Sequence, residues 1–152
     1  MKYFYTYEEF LKDLDKLEKE IKKFNPDSLV PIARGGLTLA HFLAERLNTR
    51  NVFSINAISY ENEKKFQKPK IFNIPNLEKY QKILLLDDIS DSGETLNEVV
   101  KILKEKYPSK IIKSATIFYK EKTIYKPEIV LKKTNKWIVF FWDNEGQRRN
   151  NG

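Results

Sequence analysis

The sequence contains no cysteine and only one histidine, His41, among its 152 residues. The absence of cysteine excludes disulfide bonds, thiolate zinc sites and thiol nucleophiles, and a single histidine excludes a multi-histidine metal site. Long apolar runs are also absent, so no segment reaches the roughly 20 residues that a membrane-spanning helix needs. The first residues lack the apolar stretch and the small-residue cleavage site of a signal peptide. These absences predict a cytoplasmic protein.

The composition is that of one folded domain, which we expect to occupy residues 1–152. Apolar residues make up 41% of the chain, enough for a core, so intrinsic disorder is not expected. The formal charge of +7 is unevenly distributed: residues 83–108 carry −3, between +3 over 61–82 and +6 over 109–136. An acidic segment between basic ones suits a magnesium-bound polyphosphate better than DNA, although scattered lysines that solvate a basic surface are an equal alternative on composition alone.

Helical and strand patterns alternate along the chain. Thr6 and Glu9 form a capping box before apolar residues at helical spacing, which predicts a helix of four to five turns ending at Asn25-Pro26. Further helices are predicted over about 38–47 and 95–106, and strands over 28–32, 52–59, 83–86, 111–119 and 128–131. This order predicts an α/β fold, a parallel sheet flanked by helices. Residues 60–70 are predicted to form a long mobile loop, and Asn144 to Gly152 to be frayed.

An apolar strand ends at paired carboxylates, Asp87 and Asp88, and is followed by the start of a helix, Asp91-Ser92-Gly93-Glu94-Thr95. Ligands of open α/β sheets bind at the carboxyl ends of the strands. Backbone N–H groups at a helix N-terminus hold phosphate, and Gly93 lets the backbone approach closely. Paired carboxylates suit ribose hydroxyls or a magnesium ion. Helix capping by Asp91 and Ser92 alone would leave Asp87 and Asp88 unexplained, so the segment predicts a site for a phosphorylated sugar with a metal beside it.

The segment from Ile83 to Leu96 resembles the signature of the type I phosphoribosyltransferases, which bind 5-phosphoribosyl 1-pyrophosphate. It is not a Walker loop, because no Gly-Lys-Ser/Thr follows. The resemblance implies the fold of that family, with a small hood over about 120–152. It implies that Asp87 and Asp88 hold ribose hydroxyls and Mg²⁺, with Asp88 as the metal ligand, and that Asp91 is the catalytic residue, near the imidazole side of the purine. The 5′-phosphate would be held by Ser92, Gly93, Glu94 and Thr95.

A second loop at a predicted strand end, Arg34-Gly35-Gly36, is similar to the pyrophosphate loop of the purine branch of this family. An arginine can make bidentate contacts with a diphosphate, and glycines allow backbone N–H groups to turn inward. We expect Arg34 and Gly35 to bind the diphosphate. The resemblance also implies a strained, cis peptide bond near Arg34-Gly35.

The C-terminal third contains candidates for base recognition. Lys120 follows a predicted strand, where it could donate to a carbonyl oxygen, and the indole of Trp137 could stack on a ring, although core or interface packing is the ordinary role of tryptophan. The motif order resembles the xanthine-guanine branch of the family. That resemblance implies contacts of Lys120 with the purine 6-oxo group, of Trp137 with the ring, and of the Ile138 carbonyl with the exocyclic position. Phe141 stands where that branch has proline.

These observations predict a purine-salvage phosphoribosyltransferase that converts guanine, xanthine or hypoxanthine and 5-phosphoribosyl 1-pyrophosphate to the nucleoside monophosphate and pyrophosphate. Mg²⁺ is the expected cofactor, and a homodimer or homotetramer the expected assembly. Lys120 argues against adenine, because an ammonium group only donates hydrogen bonds and adenine presents a donor there. His41 is expected to be a packed or surface residue. The lysines at 64, 65 and 68 are expected to belong either to a solvated loop or to a lid that closes over the site. The alternative is a regulatory sensor that binds nucleic acid, which the +7 charge supports.

Overall fold

The computed structural model describes residues 1–59 and 68–149. Its elements, in chain order, are β1 (Lys2–Tyr5), α1 (Tyr7–Phe24), β2 (Ser28–Ala33), α2 (Leu37–Leu47), β3 (Ile55–Ile58), β4 (Lys70–Phe72), β5 (Lys82–Leu86), β6 (Ile89–Ser90), α3 (Glu94–Lys106), β7 (Ile111–Lys120), β8 (Ile129–Thr134), β9 (Trp137–Phe140) and α4 (Asn144–Arg149). Each predicted helix and strand has a counterpart, and β1, β4, β6, β9 and α4 were not predicted. Most of the loop expected over 60–70 lies outside the described residues.

The main sheet has seven strands in the order β4-β3-β2-β5-β7, with β6 and β8 also paired to β7. Every pair of neighbouring strands is parallel except β3 with β4, and β4 is the edge strand of the sheet. In register, Pro31 lies beside Leu86, and Leu86 lies beside Ala115. The predicted α/β fold is confirmed, with one antiparallel edge strand that the sequence analysis did not foresee.

The central strand β5 explains why its sequence is an unbroken apolar run. Leu84 and Leu86 belong to the hydrophobic cluster beneath α1 and α2, while Ile83 and Leu85 belong to the cluster beneath α3. Alternate side chains of a strand point to opposite faces, so a strand covered by helices on both faces is apolar at every position. Helices on both faces hold the carboxyl end of β5 in place.

The first helix forms as its capping box predicts. The Thr6 hydroxyl accepts a hydrogen bond from the Glu9 amide at 3.1 Å, and Asn25 ends the helix in the left-handed conformation with φ of 55°. The apolar stripe is buried, at Phe10, Leu14, Leu17, Ile21 and Phe24. Burying each such side chain contributes about 1.5–3 kcal/mol to folding, so packing rather than helix propensity holds α1 on the sheet.

A second, two-stranded sheet joins the N-terminus to the C-terminal part of the chain. Strand β1 pairs in parallel with β9, placing Lys2 beside Trp137 and Tyr5 beside Phe140. The prediction that the chain is frayed from Asn144 onward is wrong for Asn144–Arg149, which form α4. The Asp143 side chain accepts a hydrogen bond from the Phe140 amide, and its carbonyl accepts one from the Gln147 amide, so Asp143 starts the helix.

Two predicted strands have different bounds in the structure. The strand expected over 52–59 is shorter, since only Ile55–Ile58 pair continuously and Val52 makes an isolated bridge with Leu29. The strand expected over 128–131 extends to Thr134, because its register with β7 continues to Lys120. Across the described ranges, 1–59 and 68–149, no helix is long and apolar enough to cross a membrane.

Candidate functional site

Three parallel strands end at the same edge of the main sheet and bring the predicted site residues together. Arg34 and Gly35 follow β2, Asp87 and Asp88 follow β5, and Lys120 is the last residue of β7. Because β5 lies between β2 and β7, the paired carboxylates lie at the centre of this edge. The sheet topology therefore assembles residues that are up to 86 positions apart in the sequence.

The backbone holds the two carboxyl groups in fixed positions. Asp87 Oδ1 accepts a hydrogen bond from the Asp88 amide at 2.9 Å, and Asp88 Oδ1 accepts one from the Ile89 amide at 2.7 Å. The Asp88 carbonyl accepts from the Ile117 amide at 3.1 Å, so β7 fixes the same peptide from the other side. These bonds hold both carboxyl groups at the end of β5.

The two carboxyl groups perturb each other. Burial raises the pKa of Asp87 well above its ordinary value, and the negative charge of Asp88 raises it further. Burial also raises the pKa of Asp88, to about 6, although a hydrogen bond with Asp87 and one from the Ile89 amide lower it. Two carboxylates so close together favour a shared proton or a bound cation. Their chemistry is therefore that of a cation site or of a pair that accepts hydroxyl hydrogen bonds.

The Arg34-Gly35-Gly36 loop packs directly against this pair. A Cβ atom added to Gly35 would lie 2.8 Å from Asp87 Oδ1 and 2.8 Å from both oxygens of Asp88. A Cβ on Gly36 would lie 2.3 Å from the Leu86 carbonyl oxygen. Only glycine fits at either position without displacing its neighbours. A cis peptide bond joins Ala33 to Arg34, one position before the Arg34-Gly35 bond near which it was expected.

The start of α3 forms a second wall of the site. Gly93 has φ of 87° and precedes the first helical residue, Glu94, whose amide donates to Ser92 Oγ at 3.2 Å. A cavity of about 180 Å³, here called the loop cavity, is lined by Ser59, Asp87, Ile89, Ser90, Asp91, Ser92, Gly93, Thr95 and Leu96. The amides of the first helical turn have no partner within the helix, so this wall offers donors to an anion.

A larger depression lies on the other side of Asp91. This turn cavity, of about 580 Å³, is lined by Asp91, Ser92, Glu94, Lys120, Glu121, Lys122, Ile124 and Asn135. Asp91 is exposed and lines both cavities. A group bound in the loop cavity and a group bound in the turn cavity would therefore meet at Asp91, which is the position that a proton acceptor between two reactants needs.

The predicted base-recognition residues are only partly assembled. Lys120 Nζ donates to the Lys136 carbonyl at 2.5 Å, which places it beside β9. Trp137 is 57% exposed, and its amide donates to the Met1 carbonyl at 3.0 Å. The Ile138 side chain is buried and lines a third depression of about 440 Å³ with Tyr3, Phe118, Lys132, Lys133, Thr134, Asn135 and Lys136. Lys120 thus lines the turn cavity, while Ile138 lines a neighbouring one.

Two residues at the site were not selected from the sequence. Ser59 lines the loop cavity beside Asp87. Asp143 lies near two of the predicted site residues, Asp88 and Arg34. Burial raises the pKa of Asp143, and the positive charge of Arg34 lowers it by a smaller amount. The negative charge of Asp143 in turn raises the pKa of Asp88. Neither Ser59 nor Asp143 belongs to one of the motifs described above, so no local pattern in the sequence identifies either as a site residue. His41 is exposed on α2, as expected.

Comparisons with known proteins agree with this geometry. A family model described as the phosphoribosyl transferase domain matches residues 4–147. A xanthine-guanine phosphoribosyltransferase of Cereibacter sphaeroides is 34% identical over 121 residues, which are 76% of this chain and 68% of that protein. The structure of a xanthine-guanine-hypoxanthine phosphoribosyltransferase of Helicobacter pylori has a TM-score of 0.90 at 39% identity and covers 100% of both chains. A purine phosphoribosyltransferase of Pyrococcus horikoshii has a TM-score of 0.83 at 30% identity, over 94% of both chains.

The chain belongs to the phosphoribosyltransferase family. Within that family it is a purine phosphoribosyltransferase, and the relatives named xanthine-guanine phosphoribosyltransferase belong to the branch that the order of its motifs resembles. The predicted fold and the predicted enzyme class are confirmed by these matches, and the sensor alternative has no support among them. The roles of individual residues are not tested by similarity and stay predictions.

Proposed function

We propose that this enzyme transfers the phosphoribosyl group of 5-phosphoribosyl 1-pyrophosphate to guanine, xanthine or hypoxanthine. The observation that carries the proposal is the contact between Gly35 and the Asp87-Asp88 pair at the carboxyl ends of β2 and β5. This contact brings a loop suited to diphosphate against carboxylates suited to ribose and a cation. The start of α3, on the neighbouring side, suits the 5′-phosphate.

The 5′-phosphate binds in the loop cavity, against backbone amides and hydroxyls of the α3 start. Ser92 and Thr95 supply hydroxyl groups, and Gly93 and Glu94 supply backbone amides next to the positive end of the helix dipole. Gly93 is required for its left-handed conformation, since φ is 87°. The phosphate end of the substrate is thereby fixed beside the Asp87 carboxyl, which lines the same cavity.

The ribose and the diphosphate lie against the centre of the sheet edge. Asp87 and Asp88 accept hydrogen bonds from the two ribose hydroxyls, and the exposed Arg34 guanidinium with the Gly35 amide binds the diphosphate. Asp143 lies close enough to Arg34 for the two opposite charges to attract each other, since the Arg34 charge lowers the pKa of Asp143. Fixing both ends of the sugar diphosphate aligns its anomeric carbon for substitution.

The donor set fits Mg²⁺ and supports its assignment as cofactor. Asp88, with Asp87 beside it, offers carboxylate oxygens as ligands. Burial raises the pKa values of both carboxyl groups, and a bound cation would compensate their negative charges. Among residues 1–59 and 68–149, no group of three or more acidic or histidine side chains forms a complete metal cage. Mg²⁺ ordinarily keeps waters and substrate phosphates among its ligands, so one or two carboxylates suffice. Held there by Asp88, the ion would neutralise charge on the departing diphosphate.

The purine enters the turn cavity, which Lys120 and Asp91 both line. Lys120 donates to the 6-oxo group. Trp137 and Ile138 lie in β9 and are not among the residues that line this cavity, so their roles, stacking of Trp137 on the ring and acceptance by the Ile138 carbonyl from the exocyclic position, rest on the family resemblance. In the reaction the bond from purine nitrogen to the anomeric carbon forms, the bond to diphosphate oxygen breaks, and pyrophosphate leaves. Asp91 accepts the proton that the purine loses. The sugar carries positive charge in a loose transition state, so exclusion of water protects it from hydrolysis.

A pyrophosphate-release assay tests this proposal. The protein is mixed with 5-phosphoribosyl 1-pyrophosphate and Mg²⁺, with one purine in each reaction, and adenine as the control base. Release with guanine, xanthine or hypoxanthine and none with adenine is the expected result. Omission of Mg²⁺ should abolish release. Equal release with adenine would refute the role of Lys120, and no release with any base would refute the proposed reaction.

The remaining expectations concern partners and location. We expect a homodimer or homotetramer in the cytoplasm, which light scattering of the purified protein and cell fractionation test. Nucleic acid is not an expected partner. A gel-shift with bulk RNA and DNA at physiological salt tests that expectation, since electrostatic binding by scattered lysines weakens steeply with salt. Retained binding there would revive the sensor hypothesis.

A further inference from the structure

The turn that follows β7 packs against the back of the proposed phosphate loop. Its residues, from Glu121 to Tyr125, leave the strand immediately after Lys120. The Thr123 amide donates to the Lys120 carbonyl at 3.1 Å, which closes the turn. The Ile124 amide donates to the Ser92 carbonyl at 2.8 Å, so the turn bonds directly to the loop.

Side-chain hydroxyls add a second connection. Ser90, which is 2% exposed, donates through Oγ to the Tyr125 carbonyl at 2.7 Å, and its oxygen lies 2.9 Å from Thr123 Oγ1. A hydroxyl has one proton, and Thr123 Oγ1 also lies 3.2 Å from the Tyr125 carbonyl oxygen, so either hydroxyl can be the donor in the bond between Ser90 and Thr123. In either case the Thr123 hydroxyl is a hydrogen-bond partner of Ser90 at the buried start of the phosphate loop.

The contact is also sterically close at the centre of the loop. A Cβ atom added to Gly93 would lie 2.4 Å from Thr123 Oγ1, 2.7 Å from the Tyr125 amide nitrogen and 3.0 Å from that of Ile124. The turn thus defines the space in which Gly93 takes its φ of 87°. Because Gly93 precedes the first amides of α3, the turn sets the direction of the amides that face the phosphate.

We propose that Thr123 is a positioning residue for the 5′-phosphate, which it serves by holding Ser90 and Gly93 in the conformation that binds phosphate. The inference rests on the proposed function, since it assumes that the loop cavity holds phosphate. The turn begins at Lys120 and bonds to Ser92, so one short segment joins the candidate base contact to the phosphate loop.

Thr123→Val removes the hydroxyl and keeps the shape of the side chain. We expect it to raise KM for 5-phosphoribosyl 1-pyrophosphate about tenfold, the size of one lost hydrogen bond, with KM for the purine changed less than about twofold. Thr123→Ser retains the hydroxyl and should restore the wild-type KM. A role in stability alone would lower the active fraction, and hence the apparent kcat, with both KM values unchanged.

Thr116→Val is the matched control. Thr116 is buried in β7, the strand that precedes the turn, and its hydroxyl donates to the Phe118 carbonyl at 2.7 Å. This variant loses a buried threonine hydroxyl away from the phosphate loop, so it should destabilise the protein without raising KM for the sugar diphosphate. Ser90→Ala combined with Thr123→Val should raise KM by less than the product of the two single effects, because the two hydroxyls share one bond.

Calorimetric titration with ribose 5-phosphate separates this inference from the proposed function. Wild-type protein should bind it, and Thr123→Val should bind it about tenfold more weakly whether or not the base is turned over. Equal affinity of wild type and Thr123→Val would overturn the inference, even with normal turnover. A Thr116→Val variant weakened as much as Thr123→Val would also overturn it, as would failure of the wild type to bind. If the wild type binds ribose 5-phosphate but turns over no purine, the proposed reaction is refuted. The affinities of wild type and Thr123→Val for ribose 5-phosphate still test the role of Thr123 in that case.

Discussion

Gly35 lies directly against Asp88: a Cβ atom at position 35 would be 2.8 Å from both carboxylate oxygens of that side chain. The two residues are 53 positions apart in the sequence and follow neighbouring strands. Their contact brings the proposed diphosphate loop and the proposed metal ligand into one site. A methyl group placed between them would change the site without changing the core.

Gly35→Ala should lower kcat/KM for 5-phosphoribosyl 1-pyrophosphate about 100-fold. The added methyl group must displace the carboxyl groups of Asp87 and Asp88 or move the loop, and a misplacement of about 1 Å can cost that much in rate. Steady-state kinetics measures the effect. His41→Ala, an exposed change on the helix that follows the loop, is the control and should retain wild-type kinetics. Wild-type kinetics in Gly35→Ala would show that the contact is irrelevant to the reaction.

Asp91→Asn should lower turnover by about 10²–10⁴-fold, the usual contribution of a general base. The amide is nearly the same size but accepts no proton, and Asp91 is exposed, so the melting temperature should stay within about a degree or two of wild type. Glu105→Gln, an exposed carboxylate-to-amide change on α3, is the matched control. Turnover in Asp91→Asn close to that of Glu105→Gln would end the catalytic role of Asp91.

The paired carboxylates should make the metal-free protein less stable as the pH rises. Burial raises the pKa of Asp88 to about 6, above its ordinary value, and that of Asp87 moves in the same direction. The folded state therefore binds protons more tightly than the unfolded state, and this stability is present below about pH 4 and lost as the pH rises through about 6. The effect has the opposite sign to that of a carboxylate in a salt bridge.

Thermal unfolding in EDTA measures this dependence. The difference in melting temperature between Asp87→Asn/Asp88→Asn and the wild type should grow by several degrees from about pH 4 to about pH 7, because the variant has no charge to bury. Mg²⁺ with 5-phosphoribosyl 1-pyrophosphate should raise the wild-type melting temperature at pH 7 and leave that of the variant unchanged. A difference that does not change with pH would contradict the proposed interaction of the two carboxyl groups.

Tyr5→Phe should destabilise the protein by about 1.5–3 kcal/mol, the usual contribution of a hydrogen bond to a charged group. The Tyr5 hydroxyl donates to Asp13 Oδ2 at 2.6 Å, and Lys132 Nζ lies 2.9 Å from the same oxygen. Asp13 is 2% exposed, so solvent cannot replace the lost donor. Urea denaturation measures the change. Tyr7→Phe, which alters an exposed ring, is the control and should stay within about 0.5 kcal/mol of wild type; equal effects would mean that Asp13 has no need of the hydroxyl.

Local patterns were sufficient for the parts of the fold in which neighbouring residues decide the structure. The capping box at Thr6 and Glu9 forms a hydrogen bond at 3.1 Å, and the apolar spacing of α1 marks its buried face. The unbroken apolar run of β5 predicts a strand that is buried on both faces. In the structure, helices pack on each side of it. The two errors of extent, at 52–59 and 128–131, occur where pairing with another strand sets the end of the element.

Other elements depend on contacts that are distant in the sequence. Strand β1 has only four residues, and it is a strand because β9 lies beside it. The helix α4 is six residues long, too short to be stable alone, and it packs so closely that a Cβ on Gly146 would lie 2.0 Å from the Phe140 carbonyl oxygen. Neither has enough residues for its own pattern to predict it.

The sequence by itself determined the family, the α/β fold and the residue types of the site, because the Asp87–Leu96 signature and the Arg34-Gly35 loop are contiguous in the chain. Only the tertiary structure decided that Gly35 contacts Asp88, that Thr123 is hydrogen-bonded to Ser90, and that Asp143 lies near Arg34. These relationships join residues that are 33 to 109 positions apart. Such distances close only when strands pair in one particular order, and that order follows from burying both faces of the whole sheet rather than from any local segment.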